Sequence, residues 1–197
     1  MIRRALISAY EKKGLERLVE VLSSLKVEVI ASSGTAAWLT SLGYPRVLEV
    51  SEYTNFPEAP DGLLKTLHPK IHGGILLDID NKAHRAYMEV HGIEPIDLVV
   101  VNLYPFEEYV ASGGIREAAM GIDVGGPALI RAAAKAALLH GRVIIVVDPS
   151  QYEEVAEGLK RHNGDLPQEF RRRLAAEAFK RTSDYDAAIY RYLTGRG

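Results

Sequence analysis

Short runs of β-branched and aliphatic residues alternate along this chain with segments whose apolar residues recur at helical spacing. That alternation restricts the fold more than any other feature, because strand–helix repetition of this kind is what a parallel sheet covered by helices requires. The clearest run is "IDLVVVNLY", residues 96–104, whose uninterrupted apolar centre suits a strand buried on both faces. Further runs are Arg4 to Ser8, Val27 to Ala31, Arg46 to Val50 and "RVIIVV", the last ending at Asp148-Pro149. Helical patterns fall on "GLERLVEVLSSL", on Thr35 to Leu42, near 81–91, near 105–119 and on the Ala-rich "PALIRAAAKAALLH". Residues 150–194 are charged and helical, with no further strand. The expectation is an α/β fold in three layers with a mainly parallel central sheet. Its core should span residues 1–150, with 151–197 as a C-terminal helical extension of the same domain.

One segment breaks the rhythm. "SEYTNFPEAPDGLLKTLHPKIHGG", residues 51–74, is rich in Pro and Gly and reads as a long loop, which in a compact domain usually has a function. His68 and His72 stand four apart in it, but Pro69 argues against a regular helix and no acidic third ligand has matching spacing. No metal site is expected.

Composition removes several classes of function. At 197 residues the chain can bury a real core, and 47% hydrophobic with 25% charged residues is ordinary for a globular protein. A formal net charge of −2 gives no electrostatic case for nucleic acid or an anionic membrane. The absence of cysteine excludes disulfides, thiolate metal sites and cysteine nucleophiles. The start, "MIRRALISAYEKKGL", lacks the apolar core and cleavage site of a signal peptide, and no segment approaches the length of a membrane span. A soluble cytoplasmic protein is expected.

In open parallel sheets ligands bind beyond the carboxyl ends of the strands, where helix N-termini and loops gather. Ser8, Tyr10 and Lys12 follow the first run, and Ser32, Ser33 and Thr35 surround Gly34 after the second. The long loop carries Lys65, Thr66 and His68, the fourth run ends in Asn102 and Tyr104, and "GIDVGGP" puts Asp123 before a helix. Hydroxyls, lysines, a phenol, an amide and a carboxylate on one edge suit a phosphorylated small molecule with acid–base groups beside it. Each residue also has a plainer reading. Ser32, Thr35 and Asp123 could simply cap helices, Lys12 and Lys65 could be solvated charges, and Tyr104 could be a core ring with its hydroxyl at the rim. Neither a G-x-G-x-x-G nor a Walker A pattern is present.

Three stretches, "YTNFPEAPDGLLKTLHPKIHGGIL", "IDLVVVNLYPF" and "IDVGGPALIRAAAKAA", resemble in order the inosine monophosphate cyclohydrolase domain of the bifunctional purine-biosynthesis enzyme. The resemblance runs from about residue 3 to about 150 and implies a methylglyoxal-synthase-like fold. It implies cofactor-free closure of 5-formamidoimidazole-4-carboxamide ribotide to inosine monophosphate with loss of water, the last step of purine biosynthesis. Because the chain ends at Gly197, the formyl-transferring second domain of the bifunctional members is not expected. A free-standing cyclohydrolase, as a homodimer, would then take its substrate from a separate transformylase. Carried onto this chain, Lys12, the Ser32–Thr35 segment and Thr66 would hold phosphate and sugar, while Lys65 and Tyr104 would face the formyl oxygen. Asp123 and the backbone of Val124 and Gly125 would orient the carboxamide nitrogen, and Lys135 would give and take the proton. Ser8, Tyr10, Ser33, Gly34, Leu63, Leu64, Val101 and Asn102 complete the implied substrate-binding set.

This chain departs from the family's pattern at Tyr10, where serine is usual, at Ser33 (glycine), at Leu63 (arginine) and at Ala136 (asparagine). The loss of arginine at 63 removes a guanidinium that could bind phosphate or stack on a base. A straight helix from Asp123 to Lys135 would also hold their Cα atoms about 18 Å apart. Either the Gly125-Gly126 turn folds Asp123 back, or Lys135 approaches from further along the pocket. Two rivals remain at this stage: a non-catalytic regulatory domain of the same fold binding a phosphorylated metabolite, and methylglyoxal synthase, whose loop does not resemble "LKTLHPKIHGG".

Overall fold

A computed structural model describes residues 1–110 and 114–195. The five apolar runs form one five-stranded sheet in the order β3-β2-β1-β4-β5 with every pairing parallel. The strands are β1 (Arg4–Ala9), β2 (Glu28–Ala31), β3 (Val47–Glu49), β4 (Leu98–Asn102) and β5 (Ile144–Val146). Every residue of β4 is buried, as its unbroken apolar sequence demands, and Leu6 sits opposite Val99 in the register that joins it to β1.

The chain leaves β1 for β2 and β3 on one side and β4 for β5 on the other, so the strand order reverses between β1 and β4. Right-handed crossovers then put α1 (Leu15–Ser24) and α8 (Gly125–Leu139) on opposite faces of the sheet. On one face α8 lies against β4 and β5, flanked by α4 (Pro69–Leu76) and α10 (Gln168–Thr194). On the other, α1 packs with α9 (Tyr152–Arg161). The long helix α10 buries Leu174, Ala175 and Ala178 in the common core. Among the described residues no helix is long and apolar enough to cross a membrane.

Several boundaries differ from the sequence expectation. Helix α2 runs Ser33–Ser41, two residues earlier than Thr35, because only Ser32 keeps an extended backbone. Strand β3 stops at Glu49, and Val50 opens α3 (Val50–Thr54) under a capping box made by Glu49 and Glu52. The segment read as a loop is therefore largely helical, with α3, a 3-10 turn over Pro60–Gly62, and α4. Pro69 starts α4 instead of preventing it. It occupies the first helical position, where a missing N–H costs nothing, and His68 Nδ1 caps the helix by accepting from the Lys70 N–H at 3.1 Å. The stretch near 81–91 is α5 (Lys82–His91). The helix expected over 105–119 is two helices, α6 (Phe106–Val110) and α7 (Ile115–Met120), with 111–113 outside the described residues.

Candidate active site

The crevice predicted by a strand-order reversal is present. A cleft of about 450 Å³ opens beyond the carboxyl ends of β1, β2 and β4. From the loop after β1 come Tyr10 and Lys12, with Ser8 from the strand itself, and from the start of α2 come Ser32, Gly34 and Thr35. The turn before α4 supplies Leu63, Leu64, Lys65 and Thr66. Strand β4 and its exit supply Val101, Asn102 and Tyr104, and the α8 entry supplies Asp123, Val124 and Gly125. Two residues of the expected set lie elsewhere. Ser33 faces a neighbouring hollow of about 300 Å³, and Lys135 lines a shallow surface hollow with Arg131, Leu138, Leu139 and Phe179.

At the β2–α2 junction the hydroxyls act differently from helix caps. Ser32 holds the cap position, yet its side chain makes no capping bond. Its Oγ accepts from Ser8 Oγ at 3.4 Å and donates to Thr35 Oγ1 at 3.2 Å. Thr35 is 1% exposed, and its hydroxyl bridges both polar groups of Ala9, accepting from the N–H at 3.3 Å and donating to the carbonyl at 3.4 Å. Thr35 therefore ties α2 to the end of β1. The Thr35 and Ala36 N–H groups bond the Ser32 carbonyl, which leaves the N–H groups of Ser33 and Gly34 without an acceptor among the described residues. Free donors at the start of a nine-residue helix are suited to an anion. Thr35→Val should thus cost stability, about 1–3 kcal/mol for a buried Ala9 N–H left unpaired. Urea unfolding measures it, and an unshifted midpoint would show that the bridge contributes nothing.

The far wall depends on two tyrosines that no local pattern singled out. Asn102 spends its amide on the first loop: Oδ1 accepts from the Glu11 N–H at 2.9 Å, and Nδ2 donates to the Glu11 carbonyl at 2.8 Å and to Tyr152 Oη at 2.7 Å. Tyr152 in turn donates to the Glu11 carbonyl at 3.2 Å, and burial pushes its phenol up to about 12, so it stays a donor at any working pH. These bonds fix the loop that carries Tyr10 and Lys12. Tyr10 meets Tyr104 edge to face, with ring centroids 4.3 Å apart.

Tyr185 of α10 holds the other loop, accepting from the Asp123 N–H at 2.8 Å and donating to the Gly121 carbonyl at 3.3 Å. Asp123 Oδ1 accepts from the Gly126 N–H at 2.8 Å, so the carboxylate does cap α8 while also lining the cleft. A Cβ at Gly126 would collide with that carboxylate and with Leu103, which explains the glycine. Burial raises the Asp123 carboxyl above the ordinary carboxylate range, against the opposing pull of the Gly126 N–H and the Lys65 charge. A half-buried carboxylate with a raised pKa beside a lysine is the arrangement expected of a general base. Among the described residues no group of three or more His, Cys, Asp or Glu could hold a metal ion.

Residues 14–128 match the family model of the MGS-like domain, and residues 133–197 match that of the AICARFT/IMPCHase bienzyme. Proteins described as bifunctional purine biosynthesis protein PurH from Brucella canis, Brucella suis and Brucella anthropi are each 49% identical over 189 residues. Those alignments cover 95% of this chain and 34% of each relative, so the chain spans about a third of the length of these curated relatives. Among solved structures, the crystal structure of ForH superposes with a TM-score of 0.81 at 33% identity, covering 96% of this chain and 98% of that one.

Proposed function

The chain belongs to the MGS-like domain family, and from that premise we propose that it is an inosine monophosphate cyclohydrolase of purine biosynthesis. The observation that carries this reading is the convergence of Lys65, Tyr104 and the half-buried Asp123 on one cleft whose other end is the open start of α2. The PurH relatives, purine-biosynthesis proteins by description, support the substrate class.

In this reading the ribotide phosphate sits on the Ser33 and Gly34 N–H groups near Lys12, and the imidazole lies toward Asp123. Nucleophile and electrophile belong to one molecule, so the cleft's first task is to hold the formyl carbon against the carboxamide nitrogen. Asp123 accepts a proton from that nitrogen as it attacks, and the new C–N bond turns the formyl oxygen into an alkoxide. Lys65 and Tyr104 stabilise that charge and protonate the oxygen. The former formamide nitrogen then loses its proton, and the oxygen leaves as water carrying both hydrogens. Ring closure needs no redox change and no second substrate. The formylated ribotide itself must come from a formyl-transferring enzyme.

Lys135 stands apart from this scheme. It lies about 15 Å along α8 from Gly125, on a surface hollow, beyond the reach of its side chain to Asp123 in the same chain. The proton work is therefore assigned to Asp123 and Lys65, and Lys135→Met is expected to turn over within about threefold of wild type, well short of the effect of losing a general acid or base. The experiment is to supply the formylated ribotide and follow inosine monophosphate formation beside product binding for both proteins. Product binding without turnover by the wild type would favour a regulatory domain. A wild type that turns over and a Lys135→Met variant that does not would mean that Lys135 serves the cleft of a second copy.

A further inference from the structure

Lys65 lies between two cavities, because it, Ser32 and Leu64 line both the main cleft and the neighbouring hollow. On the hollow's side it meets Glu58, Nζ to Oε1 at 3.7 Å. The other oxygen of the same carboxylate accepts from Ser33 Oγ at 2.7 Å, at the first residue of α2. One carboxylate thus holds both the cation of the cleft and the hydroxyl beside the free N–H groups. The path of Lys65 to Glu58 crosses Gly62, which has φ +68°, and a Cβ there would collide with Lys65 Cε and come within 2.7 Å of Nζ. Glycine at 62 serves the left-handed turn and also leaves room for the lysine to fold back.

Resting on the nucleotide reading of the cleft, we propose that Glu58 is a positioning residue that holds Lys65 back until an anionic ligand docks at the start of α2. A phosphoryl group on the Ser33 and Gly34 N–H groups cannot share that corner with a carboxylate bonded to Ser33 Oγ. Like charges at that separation repel, so Glu58 gives up Ser33 and its hold on Lys65. The ammonium, at the edge of the cleft while paired with Glu58, then turns over Gly62 further into it. Arrival of the ligand's phosphate and arrival of the cation are one event. Ligands without an anionic group leave Lys65 paired with Glu58.

The test is a binding cycle on the full chain with inosine monophosphate and, separately, inorganic phosphate as probes. Glu58→Gln keeps an acceptor for Ser33 and removes the charge. It should tighten the nucleotide by about 3- to 10-fold, a modest gain because Glu58 and Lys65 are both partly solvated, and by more at low salt. In turnover the gain should appear as a lower KM with no matching rise in kcat. In a Lys65→Met background the same Glu58→Gln change should give a smaller gain, because only the repulsion of phosphate remains to be relieved. An equal gain in both backgrounds, no gain, or a loss of affinity overturns the proposal and leaves the nucleotide reading intact. If the wild-type protein binds neither probe, the nucleotide reading falls first and this one with it.

Discussion

Asp123→Asn should lower turnover by about 10²–10⁴-fold, the share of a lost general base, with nearly unchanged affinity for the product. Asparagine keeps the shape and can still accept the Gly126 N–H through its oxygen, so the α8 cap and the Tyr185 contact to the backbone survive. Inosine monophosphate already has its ring closed and asks no proton of the site. Stability should move the other way. Burial raises the folded-state pKa of Asp123 above its unfolded value. The stability this group contributes is therefore present below the ordinary carboxylate pKa and is lost as pH rises through the folded one. At neutral pH the wild type carries a half-buried, partly desolvated charge that the Asn variant lacks. The variant should melt higher there, and the difference should close as pH falls into the ordinary carboxylate range. Thermal melts from acid to neutral pH beside steady-state turnover make the check. A variant that is less stable at neutral pH would show that the charge is a net structural asset, and normal turnover would remove Asp123 from the chemistry.

Lys65→Met should cost about 10²–10³-fold in turnover, the range for a lost donor to a developing oxyanion. Unlike the Asp123 variant it should also weaken product binding, because a cation leaves a cleft that holds an anionic ligand. Tyr104→Phe should lose turnover with less effect on binding. If both groups serve the same alkoxide, the double variant loses less than the product of the two single effects. Kinetics and product affinity for the three variants decide the matter. Fully multiplicative losses would mean that lysine and tyrosine act on different atoms.

The parts of the cleft that were legible in the sequence are contiguous ones. "LLKT" places Leu63, Leu64, Lys65 and Thr66 together whatever the fold, and "DVGG" ties Asp123 to the start of a helix. What the pattern misjudged is also local. Pro69 looks like a breaker until it is seen at the first position of α4. The capping that Ser32 and Thr35 offered as a plainer alternative gives way to hydroxyl bonds with Ser8 and Ala9. The supports were invisible for a different reason. Tyr152 reaches Asn102 across 50 positions and Tyr185 reaches Asp123 across 62, and a tyrosine on an amphipathic helix carries no mark of such a partner.

By itself the sequence determined the strand–helix alternation, the parallel sheet and the burial of the fourth run, because hydrophobic periodicity is a local property of the chain. It also determined which chemical groups stand at strand ends. Only the tertiary structure decided that the order reverses between β1 and β4, since any neighbour order would satisfy the same apolar runs. That reversal brings the exits of β1, β2 and β4 around one cleft, whereas Lys135 lies off it because of its distance along α8. It also took the folded chain to pair Glu58 with both Ser33 and Lys65, because a side-chain contact depends on where two backbones cross, and no spacing along the chain records that.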